Sequence, residues 1–328
     1  MRKIYIDTRW ENLGGIGTFS KEINKIINFP NIEIKGKPFS PVDTFRTAFY
    51  LVKKRDMMVF FPGYIPPFYS RIPFVFTIHD LNHLDRPENS SFFKRIYYNF
   101  IIKRGCHKAK KILTVSEFSR ARIIEWSGVA EERVINVGNG VSPIFSPDGD
   151  QIDYDFEYFL CVSNRKLHKN ELGTLEAFKQ AALPGTVKLV FTGNTTDQIL
   201  KKIEELGLAE KVIFTGFVDD EELPKLYRSA VALIFVSLYE GFGLPVIEAM
   251  ASGIPVITSK TTSLGEIAGD AAMLVDPNNI TEISGAISNI YNDEILREGL
   301  ISKGLVRARK YNWEDVARKV HAALTCPE

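Results

Sequence analysis

The chain has 328 residues, 45% apolar, 25% charged and 12% aromatic, with a formal net charge of +1. This is a globular composition that excludes disordered, collagen-like and coiled-coil classes, and the length implies two domains, each with a sizeable core. The longest apolar runs, 230–236 and 57–61, fall far short of the ~20 residues a membrane span needs.

In chain order, residues 3–7 read as a strand rather than a basic, apolar leader. Gly14-Gly15-Ile16-Gly17-Thr18 then opens a helical pattern over 18–27. Strands follow at 57–61, 74–78, 111–115 and 133–137, with helical patterns at 92–105 and 117–126. A break falls at 141–155, where Pro143, Pro147, Gly149 and four Asp give a linker composition. Beyond it come strands at 158–162, 187–192, 212–214, 232–236 and 255–257. Helical patterns at 171–181, 199–206 and 221–228 lie between them, and 313–324 reads as a closing amphipathic helix.

Alternating strands and helices argue βαβ units with parallel sheets. Strands apolar on successive residues, without polar alternation, are covered by helices on both faces. The expected fold class is therefore α/β, two doubly wound domains facing each other across a cleft, with strand C-terminal ends turned toward the ligand. The expected boundaries are 1–145 for an N-terminal domain and 146–310 for a C-terminal domain, which the resemblance given below makes the acceptor and donor domains. Residues 311–328 are expected as a helix crossing back toward the first domain.

The small net charge conceals a split. Residues 1–150 hold 23 Lys/Arg against 15 Asp/Glu, a net +8, whereas the remainder is −7; 15 of the 23 Phe also lie in the first half. An anionic partner should dock on the basic half, unless these are ordinary core aromatics and solvated lysines. Cys106, Cys161 and Cys326 are few, odd in number and unpatterned, which points to a reducing, cytoplasmic compartment.

The strongest local signal is Tyr239-Glu240-Gly241-Phe242-Gly243-Leu244-Pro245-Val246-Ile247-Glu248-Ala249-Met250, between a buried strand and a helix. Pro245 suits the first helical position, where its missing N–H costs nothing. Gly241 and Gly243 let backbone amides approach a ligand, and a helix N-terminus favours phosphate. Glu240 and Glu248 flank the turn, and a carboxylate accepting two hydrogen bonds matches vicinal sugar hydroxyls. The plainer reading is that Glu248 complements the helix dipole and the glycines only turn the chain.

Ser163-Asn164-Arg165-Lys166-Leu167-His168-Lys169-Asn170 follows the strand 158–162 and supplies cations of two kinds, a planar fork and a point charge. Read alone, Arg165 and Lys169 are solvated loop cations. His79 closes the apolar run 74–78, with Asp80 beside it to orient it or merely to cap the loop; a lone His is more often structural. No His/Cys metal cluster is visible. Asp148-Gly149-Asp150 has no strand before it and reads as a turn.

The spacing Glu240-x7-Glu248 inside EGFGLPVIEAMASGIPVI resembles the donor motif of retaining glycosyltransferases of family 4, which have the two-Rossmann GT-B architecture. FVDDEELPKLYRSA (217–230), TSLGEIAGDAAMLVDP (262–277), TVSEFSRARI (114–123) and TIHDLNHL (77–84) resemble family segments in the family's order. The resemblance covers most of 70–325 and leans toward the bacterial mannosyltransferase-like branch of surface-polysaccharide synthesis. Before residue 70 only the glycine loop matches.

The resemblance implies that Glu248 holds the donor ribose and Glu240 the transferred sugar. It implies that the amides of Phe242, Gly243 and Leu244 line sugar and phosphates. Arg165 and Lys169 would then stabilise the departing diphosphate, Gly15 and Ile16 approach it from the other domain, and His79 bonds the donor sugar. Base recognition is expected from backbone near Phe217 and Val218, while Ser116 and Asn139 line the cleft without an assigned role. The implied substrate is a GDP-, UDP- or dTDP-linked sugar, GDP-mannose first, with no cofactor and no metal.

The acceptor is expected to be a glycan or lipid-linked glycan on the first domain. Residues 92–111 interleave aromatics with cations, in keeping with a peripheral contact at the cytoplasmic membrane face, or with aromatics that simply face the core. No nucleic-acid module is recognisable. The competing readings are a nucleotide-sugar hydrolase, epimerase or phosphorylase, and a non-catalytic partner subunit of the same fold.

Overall fold

The computed structural model describes residues 2–11, 14–86, 88 and 90–326. The chain forms two compact α/β units, Met1–Gly140 with Asn312–Glu328, and Val141–Tyr311.

The first unit is built on β1 (Lys3–Ile6), β2 (Met57–Phe61), β3 (Phe74–Thr77), β4 (Lys111–Thr114) and β5 (Val134–Asn136), adjacent in that order and parallel throughout. β2 and β3 are buried along their whole length, as their unbroken Met-Met-Val-Phe-Phe and Phe-Val-Phe-Thr runs require. One sheet face presents Val59, Phe61, Phe74, Phe76 and Ile112. Tyr98, Ile102 and Cys106 cover them from a helical run made of Phe92–Tyr97, a π-helical turn Tyr98–Ile102 and Lys103–Lys108. The opposite face is the place of the helices Gly14–Ile27 and Trp313–Thr325, where the Phe19 and Trp313 rings meet edge-on at 6.3 Å. After β1 the chain passes beside it on the side away from β2, bridging Ile6 to Asn31. The winding therefore reverses at β1, directly before the glycine turn.

The second unit contains β6 (Tyr158–Cys161), β7 (Lys188–Phe191), β8 (Val212–Phe214), β9 (Ala232–Phe235), β10 (Val256–Ser259) and β11 (Met273–Val275). Their spatial order is β11-β10-β9-β6-β7-β8, again all parallel. The helices Glu171–Gln180, Asp197–Leu206 and Ile280–Asn292 bury Leu175, Phe178, Ile199, Ile203 and Ile287 against one face. Chain order runs outward from β6 to β8 and resumes on the other flank at β9. The gap between β6 and β9 is a topological switch point, where open α/β sheets bind ligands beyond their strand ends.

Residues 141–155, expected as a linker, lie on the second unit. Ser229 Oγ accepts from the Ile152 amide at 2.7 Å, and Arg228 Nε donates to the Asp150 carbonyl at 2.7 Å. Cys106 and Cys161 are buried and Cys326 is exposed; all three are free thiols.

Candidate functional site

In the second unit the loops leaving β6 and β9 are laced together at the switch point. Asn170 takes a left-handed conformation (φ 57°), which turns its amide to donate to the carbonyls of Val236 (3.2 Å) and Pro277 (2.7 Å). The Leu238 amide donates to the His168 carbonyl at 2.7 Å. These bonds deliver Lys169 to Glu240, whose Nζ and Oε1 are 2.7 Å apart, with the ammonium 4.8 Å from the centre of the Phe235 ring. Both side chains are mostly covered, so this pair is held in place rather than fluctuating in solvent.

The turn that follows is held from a neighbouring element. Ser263 Oγ lies 2.9 Å from the Glu240 carbonyl and 3.0 Å from that of Phe242. Gly243 adopts φ 108°, and a Cβ there would stand 2.5 Å from Leu264 Cδ2. It caps the helix Leu244–Ala251, with Pro245 in the first turn and no side chain capping the amides. Of the first amides, that of Val246 donates to the Gly243 carbonyl at 3.0 Å, and Pro245 has none to offer.

Glu248, one turn into that helix, receives a hydrogen bond from the Tyr227 hydroxyl at 2.9 Å. Desolvation pushes its carboxyl up to about 7; the Tyr227 hydrogen bond opposes the shift and the charge of Asp220 adds to it. Desolvation, with the Glu248 charge beside it, also drives the Tyr227 phenol well above its ordinary value. Tyr227 is thus a site residue that sequence reading missed. Within FVDDEELPKLYRSA it looks like any core aromatic of an amphipathic helix.

Arg165 is placed apart from Lys169. Its backbone is left-handed (φ 62°), and its guanidinium donates to the Glu171 carboxylate and to the carbonyls of Thr192 and Asn194, the last at 2.6 Å. It also lies over the rings of Phe191 (5.3 Å) and Phe214 (5.2 Å). The two cations expected to act together therefore sit in different sets: Lys169 with Glu240, and Arg165 across the ends of β7 and β8. Val218 is half-buried in the loop beyond β8, next to the exposed Phe217. Asp148 and Asp150 occupy a bend in which Ser146 Oγ accepts from the Asp148 amide at 3.0 Å.

In the first unit, Gly15 and Ile16 lie in the opening turn of the helix after β1. Gly17 is forced there, since a Cβ would come within 2.7 Å of the carbonyl oxygens of Trp10 and Glu11. His79 follows β3, edge-on to Phe19 at 5.2 Å. Its Nε2 is 2.9 Å from the Pro62 carbonyl, which only accepts, so Nε2 carries the proton and Nδ1 a lone pair. Desolvation outweighs that bond and lowers the imidazole to about 4, leaving it neutral at physiological pH. Asp80 accepts from the Asn82 amide at 2.9 Å, a local turn cap. Ser116 caps the helix Glu117–Ser127, and Asn139 is buried.

Chemically, the switch point of the second unit offers a fixed ammonium–carboxylate pair, uncapped helix amides and a second carboxylate oriented by a phenol. Among the described residues, no three His, Cys, Asp or Glu side chains gather as metal ligands.

Family profiles match both halves: one for group 1 glycosyl transferases over 146–307, and one for Glycosyltransferase Family 4 over 22–144. The O-antigen chain mannosyltransferase B of Escherichia coli is 32% identical over 286 residues, covering 82% of this chain and 74% of that protein. The O-antigen chain mannosyltransferase RfbU of Salmonella typhimurium is 32% identical over 217 residues, covering 65% and 60%. Among solved structures, sucrose-phosphate synthase from Thermosynechococcus elongatus superposes with a TM-score of 0.80 at 18% identity, covering 98% of this chain and 97% of that one. Anabaena Alr3699/HepE in complex with UDP-glucose gives 0.79 at 18% identity over the full length of both chains.

Proposed function

The chain belongs to the group 1, family 4 glycosyltransferases and has their GT-B fold, and we propose that it moves a hexose, mannose first, from a nucleotide diphosphate sugar to a glycan or lipid-linked glycan during surface-polysaccharide synthesis. The observation that carries this reading is the laced switch point, where Lys169 and Glu240 are fixed beside uncapped amides that open the helix bearing Glu248. In the proposed reaction the anomeric carbon loses its bond to the β-phosphate oxygen. It gains one to the acceptor oxygen on the same face, and the acceptor's proton passes to the departing diphosphate.

Lys169 and the helix amides offset the charge that develops on that diphosphate. Glu240 holds sugar hydroxyls, Glu248 holds the ribose, and the amides of Phe242, Gly243 and Leu244 line both. Backbone near Val218 faces the base. Arg165 contributes its charge from within its clasp on Thr192, Asn194 and Glu171, and keeps the loop that carries Lys169 in register. Gly15, Ile16 and the neutral His79, through its Nδ1 lone pair, are the first unit's candidates for donor binding. The names of the relatives favour mannose, and hence GDP-mannose as donor.

The test is a thermal-unfolding screen of the full chain against GDP, UDP, dTDP and NAD. A ligand that binds only the folded state raises apparent stability by mass action. One nucleoside diphosphate should raise Tm, and Glu248→Ala should abolish the rise. Stabilisation by NAD alone, or by none of the four, overturns the reading.

A further inference from the structure

We propose that the helix Asp43–Leu51 and the helical run 92–108 form one apolar, basic face with which this protein seats itself on an anionic lipid bilayer. The inference deepens the transferase reading by naming the surface on which its acceptor is presented, and rests on that reading only for this purpose. Half of the twenty large exposed apolar side chains among the described residues lie on these two helices, their flanks and the loop between them.

The helix Asp43–Leu51 and its flanks carry Val42, Phe45, Phe49 and Val52 at intervals of three, four and three residues, which places them on one stripe. That stripe is exposed, Phe49 to 80%, while Thr44, Thr47, Ala48 and Leu51 are buried on the other side. The helix is therefore apolar in both directions, and only one side has a partner. Its single acidic residue, Asp43, is turned inward, 2.8 Å from Arg9. The second stripe is Phe92, Ile96 and Phe100, with Phe93 adjoining, and Phe92, Phe93 and Phe100 are each at least 70% exposed.

The loop carrying Phe68 joins the two stripes. The Phe68 amide donates to the Thr44 carbonyl at 3.0 Å, and its ring is 4.9 Å from that of Phe45. On the other side the Arg104 guanidinium lies 4.6 Å over the same ring.

Charge selects the occupant. Residues 92–108 contain five Lys/Arg and no Asp/Glu, and Lys53, Lys54 and Arg55 follow the first helix. A second copy of the chain would set these cations against themselves, a repulsion that an anionic bilayer turns into attraction. Exposed aromatics rimmed by cations on short helices are the pattern of elements that lie in the headgroup region, and no described helix is long and apolar enough to cross.

The experiment is flotation of the full chain with vesicles of phosphatidylcholine alone, or with roughly one third phosphatidylglycerol. Two variants accompany it, Phe49→Ser/Phe93→Ser and Lys94→Glu/Arg95→Glu, with thermal unfolding and nucleotide-induced stabilisation measured alongside. The wild type should float with anionic vesicles and about tenfold more weakly with neutral ones, and each double variant should lose about tenfold, with Tm and the nucleotide shift unchanged. The proposal is overturned if the wild type stays at the bottom, if the Phe variant floats like the wild type, or if the wild type is a dimer that the Phe variant splits without ever binding vesicles. Flotation without a nucleotide shift leaves the face standing and removes the transferase reading; the reverse result removes only the face.

Discussion

Glu248 and His79 are titratable groups moved in opposite directions by the same cause. Enclosure raises the carboxyl to about 7 and lowers the imidazole to about 4, so both favour their neutral forms. For Glu248 this has a double consequence. Between its ordinary value near 4.5 and about 7, the unfolded chain has released the proton while the folded chain still holds it, so folding stability declines as pH rises through that window. A carboxylate that accepts two ribose hydroxyls, by contrast, does so only when ionised. Donor affinity should therefore rise about tenfold from pH 6 to pH 8, while stability falls over the lower part of that range. Glu248→Gln should flatten both profiles and weaken binding at pH 8. Isothermal titration with the nucleotide sugar that the screen selects gives one profile and thermal unfolding the other. A donor affinity that stays flat with pH in the wild type would contradict the ribose assignment.

The same scale separates what the sequence displays from what it conceals. Lys169 and Glu240 are visible because each lies in a segment that resembles a stretch of the family. Tyr227 and Glu171 are not: each looks like a routine helix residue until the fold sets it against Glu248 or Arg165. Arg165 shows the reverse. Its proximity to Lys169 in sequence suggests a shared task, yet a left-handed backbone sends its side chain to other acceptors.

Among the elements, the turn before the helix Leu244–Ala251 is the most demanding. Gly243 must hold φ 108° with Leu264 at its back, so Gly243→Ala is strained in both backbone and packing. We expect a loss of about 1–3 kcal/mol of stability from the backbone alone. The nucleotide-induced rise in Tm should also disappear, because the helix amides lose their aim. Denaturant unfolding and the thermal screen read the two effects; unchanged stability would show that the turn relaxes freely.

The strands of both sheets were legible because a parallel strand buried on two faces announces itself as an unbroken apolar run, as Met57–Phe61 does. The helix Asp43–Leu51 was not. It is nine residues long with no side-chain cap at its start, and its Phe45–Phe49 stripe faces solvent rather than the core that takes Ala48 and Leu51. β11 escaped for a related reason: Met273 and Leu274 are only partly covered at the sheet edge, which blurs the buried-strand signature. The order of strands is also invisible locally. Only the completed sheet shows that β6 and β9, 70 residues apart along the chain, flank the switch point.

For the whole molecule the open question is how a departing diphosphate is neutralised. In the proposed reaction the sources within the second unit would be Lys169, the charge of the clasped Arg165, and the first turn of a helix whose N-terminus carries about half an elementary charge. Preorganised donors and dipoles in an enclosed site are each worth several kcal/mol to a developing anion, so this set is sufficient in principle without a divalent ion. The same proposal dictates stereochemistry, since the proton acceptor is the leaving group and both lie on one face of the sugar. Transfer from the selected nucleotide sugar should therefore proceed undiminished in excess EDTA, and NMR of the fresh product should show the donor's anomeric configuration. Lys169→Ala should reduce kcat by about 100-fold or more, as expected for a group acting on transition-state charge, and should also lower Tm, because the mostly covered Glu240 carboxylate loses its partner. Activity that EDTA abolishes and magnesium or manganese restores would transfer that task to a metal. An inverted product would instead require a protein base on the opposite face of the sugar.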